Sequence, residues 1–158
     1  GLQHLIFMKE TAMKLQKRLS SNAHWLLRIS IVSVFLYHGI LKFMNLQGFT
    51  DMLPISYAEV VLVALAEVGG SLLILLGGFR NDPVSDVVTR IGAFLNIPVM
   101  IGAVTLVHWG RWNFLPSETH PVGGIEFQVV LMLIMLYIVI TGNKGIGPVG
   151  SRPAGTAG

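Results

Sequence analysis

The chain of 158 residues contains no cysteine, and only 12% of its residues are charged. The missing thiols exclude disulfides, thiolate nucleophiles, iron–sulfur ligation and cysteine-bound zinc. A soluble domain carries about 25% charged residues, so this chain has about half the charge that a water-facing surface needs. Hydrophobic residues make up 53% of the sequence, and the mean hydropathy is +0.68. The composition therefore indicates a membrane protein.

Four apolar runs account for this composition, and they cover residues 25–41, 58–79, 87–109 and 125–141. A helix needs about 20 mostly apolar residues to cross a bilayer, whereas spanning strands are about half as long and alternate in polarity. The sequence therefore predicts an all-α membrane protein. We expect a bundle of four transmembrane helices over residues 23–142.

The segments on either side of this bundle are more polar. Residues 1–22 form a basic segment whose apolar side chains can share one helical face. This pattern is typical of a short amphipathic helix on an anionic membrane surface, and the alternative is a frayed basic tail that only enforces topology. Residues 143–158 are rich in glycine and proline, so we expect an irregular C-terminal tail.

Lysine and arginine residues predict the orientation in the membrane. If the N-terminus is cytoplasmic, nine of the 11 basic residues lie on the cytoplasmic side, and only Lys42 and Arg111 lie on the other side. Cytoplasmic loops carry an excess of these residues, so both termini are expected in the cytoplasm. The expected location is the cytoplasmic membrane of a bacterium or archaeon. Because the positive charges adjoin a membrane span, we do not expect nucleic-acid binding.

Four polar residues lie at depths where lipid would otherwise surround them. Glu67 and Asn96 fall near the middle of the second and third runs, and Arg28 and Arg90 lie closer to the cytoplasmic side. An ionised group at the bilayer centre costs about 2.5–3.5 kcal/mol, so it needs a partner. We predict an intramembrane network in which Glu67 pairs with Arg28 or Arg90, assisted by Asn96. The alternative is a protonated Glu67 that donates one hydrogen bond.

A second polar group is expected near the outer leaflet, because each of the four runs brings an ionisable residue there. Its members are His38, Lys42, Glu59, His108, Trp109 and Glu126. Donors beside an apolar slot could bind a quinone head group, whereas the alternative is a set of interfacial side chains that extend to water. A histidine pair is weak evidence for haem, and no metal-binding pattern is present, so neither is expected. No catalytic residue can be assigned.

The runs also carry short motifs in a definite order. The first run reads LLRISIVSVFLYHGILKF, the second ends AEVGGSLLILLGGF, the third extends from an arginine to a histidine, and the fourth begins GGIEF and is followed by GNKG. This order resembles the DoxX family of small four-helix membrane proteins. The resemblance implies a redox context, because members resemble the membrane subunit of thiosulfate:quinone oxidoreductase. The positions that match the family pattern are Arg28, Lys42, Glu67, Arg90, His108 and Glu126.

The expected function is that of a membrane subunit of a larger electron-transfer or respiratory complex. Such a subunit would anchor or stabilise partner subunits and contribute to a quinone site. One alternative is a quinone-reducing membrane subunit of the thiosulfate:quinone type. A second alternative is a small-solute transporter, in which Glu67 and the kink expected at Pro98 would line a path. The expected partners are the lipid bilayer and other membrane proteins, and quinone is the candidate cofactor.

Overall fold

A computed structural model describes residues 1–144 of the chain. The helices are α1 Leu2–Asn22, α2 His24–Met44, α3 Leu46–Met52, α4 Tyr57–Gly78, α5 Pro83–Gly102 and α6 Glu126–Thr141. A π-helical turn, Ala103–Val107, follows α5 directly. Residues 1–144 contain no strand. The expectation of an all-α membrane protein is confirmed.

Within the described residues, three stretches are long and apolar enough to cross a bilayer: Leu2–Met44, Tyr57–Gly78 and Pro83–Val107. The first comprises α1 and α2, because Ala23 between them keeps a helical backbone conformation. The apolar helix α6 has 16 residues, which corresponds to about 24 Å at 1.5 Å per residue. The hydrocarbon core of a bilayer is about 30 Å thick, so the fourth crossing stays a prediction.

Helix α4 lies at the centre of the packed helices, between α2 and α5, and α6 packs against α5. The buried apolar core draws on all four of these helices, with Phe35, Ile74, Ala93 and Met135 as representative members. In contrast, α1 has no buried residue and makes few contacts with the other residues that the structure describes. The N-terminal segment is nevertheless helical over Leu2–Asn22, as the amphipathic-helix alternative required.

Glycines allow α4 and α5 to approach closely. A Cβ atom added to Gly92 would lie 2.6 Å from the carbonyl oxygen of Gly70 and 2.8 Å from the backbone nitrogen of Ile74. Helices in lipid gain little from the hydrophobic effect when they associate, so close backbone packing between small residues supplies much of their attraction. The contact between Gly70 and Gly92 is the clearest example in this protein.

Two features of the connecting segments were not predicted. The segment between the first two apolar runs contains α3, whose first turn is capped by the Asn45 side chain accepting from the Gly48 backbone nitrogen at 3.1 Å. Helix α5 begins after Asp82, whose carboxylate accepts hydrogen bonds from the Ser85 backbone and hydroxyl. These hydrogen bonds hold the pKa of Asp82 below its ordinary value, because they favour the ionised form.

Replacement of Gly92 by alanine tests the close approach of α4 and α5. Because the added Cβ would collide with backbone atoms, we expect Gly92→Ala to lower the free energy of unfolding by about 1–3 kcal/mol. Gly102→Ala is the matched control, since no atom lies within 4 Å of the Cβ that it adds. Unfolding of both variants by SDS in mixed micelles is the measurement. Equal stability of the two variants would contradict the packing described here.

Candidate functional site

A buried ion pair joins α2 to α4. The ammonium group of Lys42 donates to both carboxylate oxygens of Glu67, at 2.9 and 2.8 Å. The two residues are only 8% and 3% exposed. An ionised carboxylate deep among apolar helices is stabilised only by such a partner. Lys42 therefore satisfies the charge of Glu67.

The predicted pairing of Glu67 with Arg28 or Arg90 is wrong, and the contact between α2 and α4 explains why. Gly39 packs against Glu67 so closely that a Cβ at position 39 would lie 2.9 Å from the Glu67 Cβ. This contact brings the end of α2 beside Glu67, within reach of the long side chain of Lys42. Depth estimated from sequence places Lys42 near the membrane surface, but its four-carbon stem extends into the protein.

A cavity of about 720 Å³ lies beside the ion pair. Its walls are mostly apolar and come from α2, α3, α4, α5, the π-helical turn and α6. The polar residues that line it are His38, Lys42, Glu59, Glu67, His108 and Gln128. Four members of the predicted outer group therefore line one cavity, whereas Trp109 and Glu126 are not among its lining residues.

His108 is held in one orientation at the wall of the cavity. Its Nδ1 lies 3.0 Å from the carbonyl oxygen of Gly123, and its Nε2 lies 3.0 Å from the side-chain nitrogen of Gln128. A carbonyl oxygen can only accept and an amide nitrogen can only donate, so these two contacts suit the tautomer with its hydrogen on Nδ1. Gln128 was not predicted, although a glutamine inside the fourth apolar run was a visible signal.

Three members of the predicted outer group, Glu59, Glu126 and Trp109, lie near the ends of the helices or in the connecting loops. Glu59 closes a capping box at the start of α4, where its carboxylate accepts from the Ser56 backbone nitrogen and hydroxyl, both at 2.7 Å. Glu126 accepts from the Phe114 backbone nitrogen at 3.3 Å and so binds the loop that precedes α6. Trp109 has an exposed ring, as expected of an interfacial tryptophan.

Arg28 lies at the other end of the packed helices, and its hydrogen-bond partners among residues 1–144 are neutral acceptors. Its guanidinium donates to the Ile74 carbonyl oxygen at 2.5 Å, the Thr89 hydroxyl at 3.1 Å and the Asn143 side-chain oxygen at 2.6 Å. A fourth hydrogen bond reaches Nδ1 of His24 at 3.0 Å. We call these five residues the Arg28 cluster. It ties α2, α4 and α5 to the chain just after α6.

Arg90 and Asn96, the other two members of the predicted intramembrane network, do not pair with Glu67 and have other partners. Arg90 forms an ion pair with Asp86 at 2.7 Å and donates to the carbonyl oxygens of Val139 and Ile140 near the end of α6. Asn96 donates to the Gly92 carbonyl oxygen of its own helix at 3.2 Å. Arg28 and Arg90 are joined through Asn143 and Asp86, whereas Glu67 and Asn96 make contacts apart from them, so the four predicted residues do not form one network around Glu67.

The predicted C-terminal tail begins inside the packed structure. The side chain of Asn143 is buried, and its amide nitrogen donates to the carbonyl oxygens of Gly77 at 2.7 Å and Arg80 at 3.0 Å. Its backbone nitrogen donates to Asp86 at 2.6 Å. The rest of the predicted irregular tail, residues 145–158, lies outside the described residues. The sequence did not predict the burial of Asn143, because its partners Gly77 and Asp86 are distant in sequence.

In the part of the chain that the structure describes, no three histidine, aspartate or glutamate side chains are placed to hold a metal ion. The polar side chains of the cavity wall offer hydrogen bonds to a ligand. They are few, and apolar side chains surround them. This arrangement suits a small lipid-soluble molecule with one or two polar groups.

These observations define the class of protein: an all-helical membrane protein with a buried ion pair at the wall of an apolar cavity. The sequence model of the DoxX family matches residues 23–109, more than half of the chain. The chain therefore belongs to the DoxX family. The match includes Arg28, Lys42 and Glu67 but ends before α6. No curated protein and no solved structure matched the chain.

Removing one member of the ion pair should be more harmful than removing both. Glu67→Leu leaves the Lys42 ammonium buried without a counter-charge, and we expect a loss of about 3–5 kcal/mol in unfolding free energy. The double variant Lys42→Met/Glu67→Leu should be much closer to the wild type, because both charges are absent. Unfolding by SDS of the two single variants and the double variant measures this coupling. Additive losses would show that the two side chains do not interact.

Proposed function

We propose that this protein is a membrane subunit of an electron-transfer complex and that its cavity binds the head group of a quinone. The observation that carries the proposal is the ion pair of Lys42 and Glu67 in the wall of an apolar cavity of about 720 Å³. Ligand sites are typically concave, mostly apolar and about 300–1,000 Å³ in volume, with a few placed polar groups. Polar groups inside a membrane protein are expensive and usually serve a function.

The residues present fit the hydrogen-bonding needs of a quinone. An ammonium group has three hydrogens, and Lys42 uses two of them on Glu67, so one remains for a ligand carbonyl. The side-chain amide of Gln128 likewise has a second hydrogen beyond the one directed at His108. Apolar side chains from α3 and α5, including Phe49 and Val99, would flank the ring and exclude water.

A bound quinone would supply the capacity to carry electrons and protons. The contribution of this chain is to bind and orient the head group and to hold ionisable groups beside it. Glu67 and Lys42 are the oppositely charged pair in the cavity wall, and an ammonium hydrogen is directed at each carboxylate oxygen. The electron donor in this proposal is a partner subunit, and the outward-facing apolar surface of the long helices offers area for such partners.

The proposed topology is four crossings with both termini in the cytoplasm. Helix α6 runs antiparallel to α5 along most of its length, since Gln128 meets His108 at one end and Ile140 meets Arg90 at the other. If α5 crosses the bilayer, α6 accompanies it across. Arg80, Arg90 and Lys144 then share the cytoplasmic side, as the charge distribution favours. The proposed location is the cytoplasmic membrane of a bacterium or archaeon.

Helix α1 is proposed to lie against anionic lipid at this cytoplasmic surface. Its residues are all exposed or nearly so, which leaves its apolar side chains unpartnered. It carries three lysines and one arginine against a single glutamate. A basic amphipathic helix next to a membrane span binds anionic head groups by charge and buries its apolar face at the interface.

Two alternatives use the same cavity. A quinone-reducing enzyme of the thiosulfate:quinone type would need the same head-group site. A small-solute transporter is favoured by one observation, which is that Pro98 and residues of the π-helical turn line the cavity. Interrupted helices beside a binding site are common in transporters. Uptake of labelled thiosulfate by proteoliposomes that contain only this chain would favour the transporter over the quinone subunit.

Quinone binding is tested with the purified full chain in detergent. We expect decylubiquinone to bind to the wild type, and we expect the double variant Lys42→Met/Glu67→Leu to bind at least tenfold more weakly, since it lacks the donor to the carbonyl. Equilibrium dialysis with quantification of the quinone is the measurement. Ser33→Ala, which changes an exposed side chain of α2, is the control. Equal affinity of the double variant and the wild type would refute the proposed site.

The position of α1 is tested with single cysteines, which the natural sequence lacks. Leu5→Cys and Lys14→Cys place an environment-sensitive fluorophore on the apolar and the basic face. In vesicles that contain phosphatidylglycerol, we expect a blue-shifted emission at position 5 and a water-like emission at position 14. In pure phosphatidylcholine the difference should shrink, because the electrostatic attraction is lost. Identical spectra at the two positions in anionic vesicles would rule out this placement.

A further inference from the structure

The contact between α4 and α5 changes along its length. A Cβ at Gly92 would lie 2.6 Å from the carbonyl oxygen of Gly70, and a Cβ at Gly77 would lie 2.7 Å from that of Ser85. These two contacts show that the helices are antiparallel and that their backbones touch in this region. Further along α5, by contrast, a Cβ at Gly102 would have no atom within 4 Å. The interface is therefore closed at one end and leaves space at Gly102.

The faces of α4 and α5 that touch continue into the wall of the cavity. Ala66 and Leu62 precede Gly70 by about one and two turns of α4, so the three residues share a face. Leu95 follows Gly92 by about one turn of α5 and lies on a shared face in the same way. Ala66, Leu62 and Leu95 all line the cavity. Because the helices are antiparallel, these turns lie side by side, and the cavity extends between α4 and α5.

This part of the cavity wall also reaches the surface of the protein. Leu62 is 64% exposed, Leu95 is 38% exposed and Leu106 is 54% exposed, although all three line the cavity. Gly102 lines the cavity and is partly exposed as well. Residues that border both the cavity and the surface form the rim of an opening, which we call the side opening. Its rim is apolar and belongs to two stretches that are able to cross a bilayer, so it faces hydrocarbon.

We infer that the ligand of this cavity carries a hydrocarbon tail and that the tail lies in the side opening between α4 and α5. The head group lies at Lys42 and Glu67, as in the proposed function, on which this inference rests. A tail in an opening toward lipid contacts apolar groups along its whole length, so the protein need not enclose it. The ligand class is thus a lipid-soluble quinone with a long alkyl or prenyl chain, and not a small water-soluble quinone.

Tryptophan at position 102 tests where the tail lies. The new side chain of Gly102→Trp starts in open space and fills the side opening. We expect the affinity for decylubiquinone to fall about tenfold, which corresponds to the loss of roughly two buried methylene groups. The affinity for dimethoxymethylbenzoquinone, which has the same ring without the decyl chain, should stay within about twofold of the wild type. Equilibrium dialysis of the purified full chain measures both, and the ratio of variant to wild type cancels the partition of each quinone into detergent.

Ile101→Trp is the matched control, because Ile101 is 51% exposed and is not among the residues that line the cavity. This variant should bind both quinones as the wild type does. An equal loss of both quinones in Gly102→Trp, or a loss of neither, would overturn the placement of the tail alone. If the wild type binds neither quinone, the proposed function itself is refuted, and the ligand class with it.

A second measurement reports on the side opening without any quinone. The natural chain has no cysteine, so a nitroxide can be attached to Gly102→Cys alone in phosphatidylcholine vesicles. The nitroxide should collide often with molecular oxygen, which is concentrated in lipid, and rarely with a water-soluble nickel complex. Leu133→Cys on α6 is the lipid-facing reference, since Leu133 is 59% exposed. Rare collisions with both reagents would show a closed wall, frequent collisions with the nickel complex would show an opening to water, and either result would overturn the inference.

Discussion

The ion pair between Lys42 and Glu67 constrains this structure most strongly. Two opposite charges within a protein of this apolar composition must meet, since neither can be solvated by lipid. Their contact fixes the position of α2 along the axis of α4, and Gly39 allows the two backbones to approach closely. The same pair places the polar atoms in the wall of the cavity. It also brings Lys42 to 5.4 Å from the centre of the Phe49 ring, so that α3 lies over the ammonium group.

The opposite end of the packed helices uses a different chemistry. Arg28 bonds to carbonyl, hydroxyl, amide and imidazole acceptors, none of which carries a formal negative charge in this arrangement. These hydrogen bonds, together with those of Asn143, hold four segments of the chain in one cluster. The cavity lies at the other end, where the π-helical turn and the loop before α6 form part of its wall.

Membership of the DoxX family rests on residues 23–109, and this region contributes residues to both ends just described. It contains Lys42 and Glu67, as well as Arg28 and Thr89. The helix α6 and Gln128, which complete the cavity, lie beyond the match. The family relationship therefore identifies the kind of membrane protein, while the proposal of a quinone site depends on the cavity and its hydrogen-bond donors.

The sequence by itself determined the membrane class and the positions of the long helices, because lipid requires long apolar runs whose backbone groups are satisfied within each segment. It also showed that Glu67 needs a partner. It did not identify Lys42 as that partner, nor did it reveal α3, the separation of Arg28 from Glu67, or the burial of Asn143. Each of these depends on which residues of distant segments come to the same level, and apolar periodicity carries no information on how two helices are aligned. Only the tertiary structure decided the polar contacts, because side-chain length and close backbone approach at glycines set the alignment of the helices.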